Sequence, residues 1–235
     1  MKTYTEHIFE ELVQDNSTEA KLRRYLERRR KEYEERENKK LHPENREELQ
    51  DMIIAAIEKD GPEADLNHID VSGVDNMNSL FSSYHGGDKY KRELLRSFNG
   101  DISEWDVSRV KNMRVMFCVT TFNGDISDWD VSNVKDMSGM FCGAKKFNQD
   151  ISRWEVGSVT NMNGMFYCAP NFNQDISKWE VGSVSNMEDM FNGATSFNQN
   201  ISDWVVDGVD KFDNIFKNCP IKEEFKPKRF QERVF

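Results

Sequence analysis

The chain has 235 residues, of which 37% are hydrophobic, 11% aromatic and 31% charged, with a formal net charge of −10. The aromatic content excludes a chain that is disordered throughout. The acidic balance excludes a nucleic-acid phosphate backbone as ligand, since that needs basic patches, and leaves cationic protein surfaces as natural partners. Residues 98–216 carry most of the charge, with nine Lys/Arg against 17 Asp/Glu, a net −8. The opening MKTYTEHIFEELVQD lacks the apolar run of a secretory signal, so the expected location is cytoplasmic. No stretch approaches the ~20 apolar residues of a membrane span.

Residues 1–60 read as a helical N-terminal region and cap. STEAKLRRYLERRRKEYEERENKK, within 17–40, is charged nearly all round, with a thin stripe of Leu22, Tyr25, Leu26 and Tyr33. It is either a solvated helix steadied by i,i+4 ion pairs or a helix for a partner or for self-association. Pro43 and Gly61 bracket a second helical stretch with Leu49, Met52, Ile53, Ala56 and Ile57 on one face, which suits a cap on the region beyond Gly61.

From residue 61 the sequence repeats. Trp105, Trp129, Trp154, Trp179 and Trp204 are all five tryptophans, spaced 24, 25, 25 and 25 residues apart. Phe98, Phe122, Phe147, Phe172 and Phe197 keep the same steps, as do Phe117, Phe141, Phe166, Phe191 and Phe216. FNQDISRWEV at 147–156 and FNQDISKWEV at 172–181 differ only at Arg153 and Lys178. A worn first copy lies at 65–81, an inserted loop at 82–97, and full coils at 98–121, 122–146, 147–171, 172–196 and 197–216. Residues 217–235, with Ile221, Phe225, Phe230, Val234 and Phe235, read as a C-terminal cap.

Within a copy the apolar spacing changes. Ile102, Trp105 and Val107 suggest a short strand. Val110, Met113, Met116 and Phe117 recur at i, i+3, i+6 and i+7, as on one face of a short helix. No coil buries its apolar edge alone, so coils must stack. The whole unit, FNQDISxWxVxxVxNMxxMF, resembles the repeat of BspA-type leucine-rich-repeat surface proteins of bacteria over roughly 65–216. The fold class expected is α/β: a leucine-rich-repeat-like solenoid with a short parallel sheet on one face, preceded by the helical region. The resemblance implies a protein- or matrix-binding role, often at a cell surface, and no catalytic residues. If it governs, the location is surface or secreted.

Three sets of side chains carry candidate chemistry. Cys118 and Cys142 follow their phenylalanines in identical register, within disulfide range on adjacent coils, and are either bridged or reduced. Zinc is not expected, because no C-x-x-C pair exists. Asp101, Asp125, Asp150 and Asp175 form a column whose carboxylates either bond loop amides or bind calcium, with Asn123, Asn148, Asn173 and Asn198 as a parallel ladder. The third set is the candidate binding surface: Glu104, Asp106, Asp128, Asp130, Arg153, Glu155, Lys178 and Glu180 on the face opposite the core. It is either a docking surface for a basic protein patch or a solvated face inherited through duplication. His7, His42, His68 and His85 lie outside the regular copies, and the recurring Ser103, Ser127, Ser152, Ser177 and Ser202 have no base in step with them. The chain therefore reads as a non-enzymatic binding protein without cofactor that engages a basic protein partner, either as a BspA-like surface or adhesion protein or as an intracellular inhibitor. The alternative is a structural scaffold assembled through the N-terminal helices.

Overall fold

A computed structural model describes residues 40–82 and 88–231, together with Tyr25, Arg28 and Lys31. The chain divides into two units, 1–41 and 42–235. In the first, Tyr25, Arg28 and Lys31 are helical, with the Arg28 guanidinium 5.8 Å from the Tyr25 ring centroid. The rest of the stretch up to residue 39, including Leu22, Leu26 and Tyr33 of the stripe proposed for self-association, lies outside the described residues, as do His7, His85, Val234 and Phe235.

The second unit starts with α1, Arg46–Asp60. The Asn45 side chain accepts the Glu48 N–H at 3.0 Å, and the Glu48 carboxylate accepts the Glu44 N–H at 2.8 Å. These two bonds satisfy orphan amides at the helix start. Gly61 ends the helix at φ 86°, with its N–H on the Ile57 carbonyl. Leu49, Ile53, Ile54 and Ile57 form the buried face. The segment 82–97, expected as a loop, carries a second helix, α2, over Lys89–Ser97, capped by the Asp88 side chain. Its sequence, KYKRELLRS, is nine residues long and sets Leu94 and Leu95 against the core with only Leu95 fully buried, too short an apolar pattern to stand out among its charges.

The expected α/β solenoid with a parallel sheet is corrected by the structure. Among the described residues of the second unit there are two α-helices, two short 3-10 turns at Glu223–Phe225 and Lys228–Phe230, and no strand or sheet. Neighbouring copies meet through isolated parallel bridges, one residue from each: Asn76 with Asn112, then Asp136, Asn161, Asn186 and Lys211 in succession. The reason lies in the polar residues of the supposed strand. In ISEWDV the Ser103 N–H closes on the Asp101 carboxylate at 2.9 Å, the Trp105 N–H on the Ile102 carbonyl at 3.2 Å, and the Ser108 N–H on the Asp106 carboxylate at 3.0 Å. Amides that a strand would offer sideways are consumed locally, the usual competition of Asp with secondary structure.

The supposed helix is likewise two linked turns. Val115 and Val119 have φ of 48° and 58°, and their counterparts Gly139 and Gly143 have 62° and 66°. A left-handed residue every fourth position stops helical propagation. Backbone amides then alternate in purpose. Met113, Val115, Phe117 and Val119 donate to the next coil's Asp136, Ser138, Met140 and Cys142 carbonyls at 2.7–2.9 Å. Between them, Met116, Cys118 and Thr120 close turns within their own coil. The same alternation recurs in the following coils and holds copy upon copy.

The interior is aromatic. Each tryptophan of the series is only 3–5% exposed, and its indole N–H donates to a carbonyl of the preceding coil: Trp129 to Ile102, Trp154 to Ile126, Trp179 to Ile151 and Trp204 to Ile176, at 3.0–3.1 Å. Phe117, Phe141, Phe166, Phe191 and Phe216 stack at 5.6–5.8 Å between centroids. An amide ladder runs beside them, the Asn148 N–H donating to Asn123 Oδ1 and the Asn173 N–H to Asn148 Oδ1 at 2.8–2.9 Å.

Both ends of the stack are closed by side chains. The first coil has carbonyls with no preceding coil to serve them, and α1 supplies Arg46 to Asn78 O at 3.1 Å and Gln50 to Leu80 O at 2.7 Å. At the far end Arg229 donates to the Asp207 and Val209 carbonyls at 2.6 and 2.8 Å. Each arginine or glutamine stands in for the missing neighbour's amides, so buried acceptors are not orphaned.

Candidate functional site

All eight residues of the candidate binding surface, Glu104, Asp106, Asp128, Asp130, Arg153, Glu155, Lys178 and Glu180, are exposed. They stand in two columns flanking the buried tryptophans, one residue before and one after each. The alternation comes from the turns: Ile, Trp and Val point inward, and the residues between them outward.

The columns are not uniform. Asp106 and Asp130 hold their carboxylates against the Ser108 and Ser132 amides, both at 3.0 Å. Bonds from Ser132, hydroxyl first and backbone N–H second, keep the Asp130 carboxyl below its ordinary range. In the next two coils glycine stands at 157 and 182 in place of those serines, and Glu155 and Glu180 make no such turn bond. Arg153 reaches back to Asp128 at 3.4 Å, an exposed pair of small energetic weight.

Arg153, Glu155, Lys178 and Glu180 converge on one groove of about 440 Å³, floored partly by the edge of Trp154 and by Gly157. Glu104, Asp106, Asp128 and Asp130 lie outside it, so the surface consists of an acidic patch on the first two full coils and a mixed-charge groove on the next two. What the arrangement offers chemically is recognition. Carboxylates and two cations are set out at coil spacing on a rigid support, able to bond lysine, arginine and backbone amides of a partner.

The Asp101, Asp125, Asp150 and Asp175 column has a structural use. Each carboxylate accepts the amide of the serine two residues on, at 2.9 Å. Those bonds hold the Asp101, Asp150 and Asp175 carboxyls below the usual range. In the last coil Asn200 makes the same bond, at 3.1 Å to the Ser202 amide, without charge. No group of three or more acidic, histidine or cysteine side chains suited to a metal occurs among the described residues.

One basic corner escaped the sequence reading. Arg109, Lys111 and Lys135 border a groove of about 540 Å³ with Asp75, which pairs with Lys111 at 3.4 Å. The signal was present as lysine in register at 111 and 135, but it fades to Thr160 and Ser185 in later copies. All four cysteines are free: Cys118 buried, Cys142 and Cys219 half-buried, Cys168 exposed.

No helix among the described residues is long and apolar enough to cross a membrane. No curated protein and no solved structure matches the chain. A family described as "Mycoplasma protein of unknown function, DUF285" matches residues 32–132 and 118–227, overlapping where the first full coil passes into the second. The two matches together span most of the sequence, including α1, every copy of the repeat and the turn at Glu223–Phe225, and the chain belongs to that family.

Proposed function

We propose that the protein is a non-enzymatic binding module whose acidic outer face docks a basic patch on another protein. The observation that carries this reading is the set of exposed acids at Glu104, Asp106, Asp128, Asp130, Glu155 and Glu180, repeated on a support fixed by buried aromatic stacks. Such a face accelerates encounter with a cationic partner through long-range attraction, and the affinity falls as salt rises. The likeness of the repeat to BspA-type surface proteins supports a cell-surface setting, where matrix and host proteins with basic patches are accessible.

The test uses a triple variant, Glu104→Lys, Glu155→Lys and Glu180→Lys, chosen because it leaves the aspartate turn caps in place. Association with a lysine- and arginine-rich model protein is measured on a biosensor at two salt concentrations. The association rate is expected to fall at least about tenfold, with much of the salt dependence lost. Unchanged rates with an unchanged circular dichroism spectrum would defeat the reading. Protease treatment of intact cells tests the setting: a chain at the surface is degraded while a cytoplasmic marker survives.

A further inference from the structure

Nothing in the acidic face uses the two cysteines that stand in register. Cys118 and Cys142 occupy the same place in consecutive coils, each directly after the stacked Phe117 and Phe141, whose centroids are 5.7 Å apart. The coils are pinned at that point by the Val119 N–H on the Cys142 carbonyl at 2.7 Å. In-register residues at this spacing fall within the Cα separation of ~4.4–6.8 Å that a disulfide requires. Both cysteines line one groove of about 410 Å³, which opens to solvent beside Arg114 and Tyr167.

We propose that Cys118 and Cys142 are a thiol pair that closes to an inter-coil disulfide when the protein meets a peroxide, making this edge a site of reversible oxidative modification. The Cys118 sulfur is the attacking atom. The adjacent Cys142 thiol, the Ser82 side chain and the charge of Arg96 favour its thiolate against burial, and the buried Arg96 Nε has no partner among the described residues. Cys142 is held in the opposite direction, chiefly by Cys118 and by burial, and remains a thiol.

The Cys118 thiolate attacks one peroxide oxygen. The O–O bond breaks, a sulfenic acid forms on Cys118, and the released hydroxide takes up the proton that Cys118 lost, giving water. The Cys142 sulfur then attacks the Cys118 sulfur. The S–S bond forms, the S–O bond breaks, and the hydroxyl leaves with the Cys142 proton as a second water. Two thiols are oxidised by two electrons and one peroxide is reduced. The other cysteines are not placed to form this link: Cys168, though exposed, is one residue out of register, and the Cys219 thiol donates to the Phe197 carbonyl at 3.4 Å.

The full reduced chain, treated with an equivalent of hydrogen peroxide, is expected to lose two of its four titratable thiols. Proteolysis without reductant should then yield one linked peptide pair containing positions 118 and 142, 2 Da lighter than the separate peptides together. The melting temperature should rise by about 5–10 °C, reversed by dithiothreitol. Cys118→Ser and Cys142→Ser should each abolish the link, whereas Cys168→Ser and Cys219→Ser should leave it. The proposal is overturned if peroxide leaves positions 118 and 142 reduced while Cys168 alone gains oxygen, or if position 142 links to 168. Peptide mapping of the wild-type chain decides the matter even where a serine variant does not fold.

Discussion

Trp154→Phe isolates the bond that ties one coil to the next. Trp154 sits in the middle of the stack, 3% exposed, its Nε1 3.0 Å from the Ile126 carbonyl. Phenylalanine keeps an aromatic ring in the column but has no donor. The Ile126 carbonyl retains the Trp129 backbone N–H at 3.3 Å, so it is left short of one bond and not orphaned. That places the hydrogen-bond loss near ~1 kcal/mol, the lower half of the range for a buried acceptor. The smaller ring leaves a void beside Phe141, now 6.3 Å away from centroid to centroid, adding roughly 1–2 kcal/mol by the cost of core cavities. The expected total is about 2–3 kcal/mol, against about 3–5 kcal/mol for Trp154→Ala. Urea unfolding followed by far-ultraviolet circular dichroism measures both, since four tryptophans remain and fluorescence mixes their signals. A Trp154→Phe loss below ~0.5 kcal/mol would refute the assignment of the indole as an inter-coil tie.

Gly100→Ala should be severe, because a Cβ there would stand 2.0 Å from the Ala64 carbonyl oxygen and 2.8 Å from Glu63 backbone. Relief requires separating the first two coils, and a loss of about 3 kcal/mol or failure to fold is expected in denaturation; a loss under ~1 kcal/mol would show that the coils are not in contact there. Arg229→Ala removes both bonds to the last coil's carbonyls and should cost about 1–3 kcal/mol, with the C-terminal coil losing amide protection first in hydrogen exchange. Acid sensitivity arises from the turn carboxylates. Asp101, Asp150 and Asp175 have folded-state pKa values below the unfolded one, so their stabilisation is full above the unfolded value and is lost as pH falls through the folded one. The Asp101→Asn, Asp150→Asn, Asp175→Asn triple variant should match the wild type near pH 7 and lose less stability between pH 5 and 3; identical pH curves would sink this account.

Periodicity in the sequence located the copies and their interior, since Trp, Phe and Met columns at steps of 24 and 25 are the residues the structure buries. It did not reveal the backbone conformation. Apolar spacing of Ile102, Trp105 and Val107 fits a strand and a pair of Asx turns equally well, because both turn alternate side chains the same way. What separates them is the Asp two residues before each Ser, which captures the amide. The left-handed pair in each coil was legible only in part. Glycine marks it at 139, 143, 164 and 193, yet Val115, Val119 and Asp189 hold the same angles without announcing it. The candidate surface was legible as exposed positions, but not as a patch and a separate groove, since that division depends on where Arg153 and Lys178 lean.

That division also separates folding from recognition. At Asp106 and Asp130 the outward acid is also the turn cap, so a substitution there changes stability and surface charge together. At Glu155 and Glu180 glycine stands two residues on, the cap is gone, and the carboxylate persists without a turn to hold. Aspartate is the shorter side chain and the better cap; glutamate in its place reaches further from the backbone while giving up the turn bond. If the proposed docking role holds, the charge of these two glutamates serves recognition and not the turn, with Arg153 and Lys178 beside them in the same groove. Reversing Glu155 and Glu180 should therefore alter binding with the unfolding midpoint unmoved, whereas reversing Asp106 and Asp130 should move both. Equal stability losses from the two pairs, read in parallel urea titrations, would show that the glutamates are structural as well and would remove the distinction drawn between the two pairs.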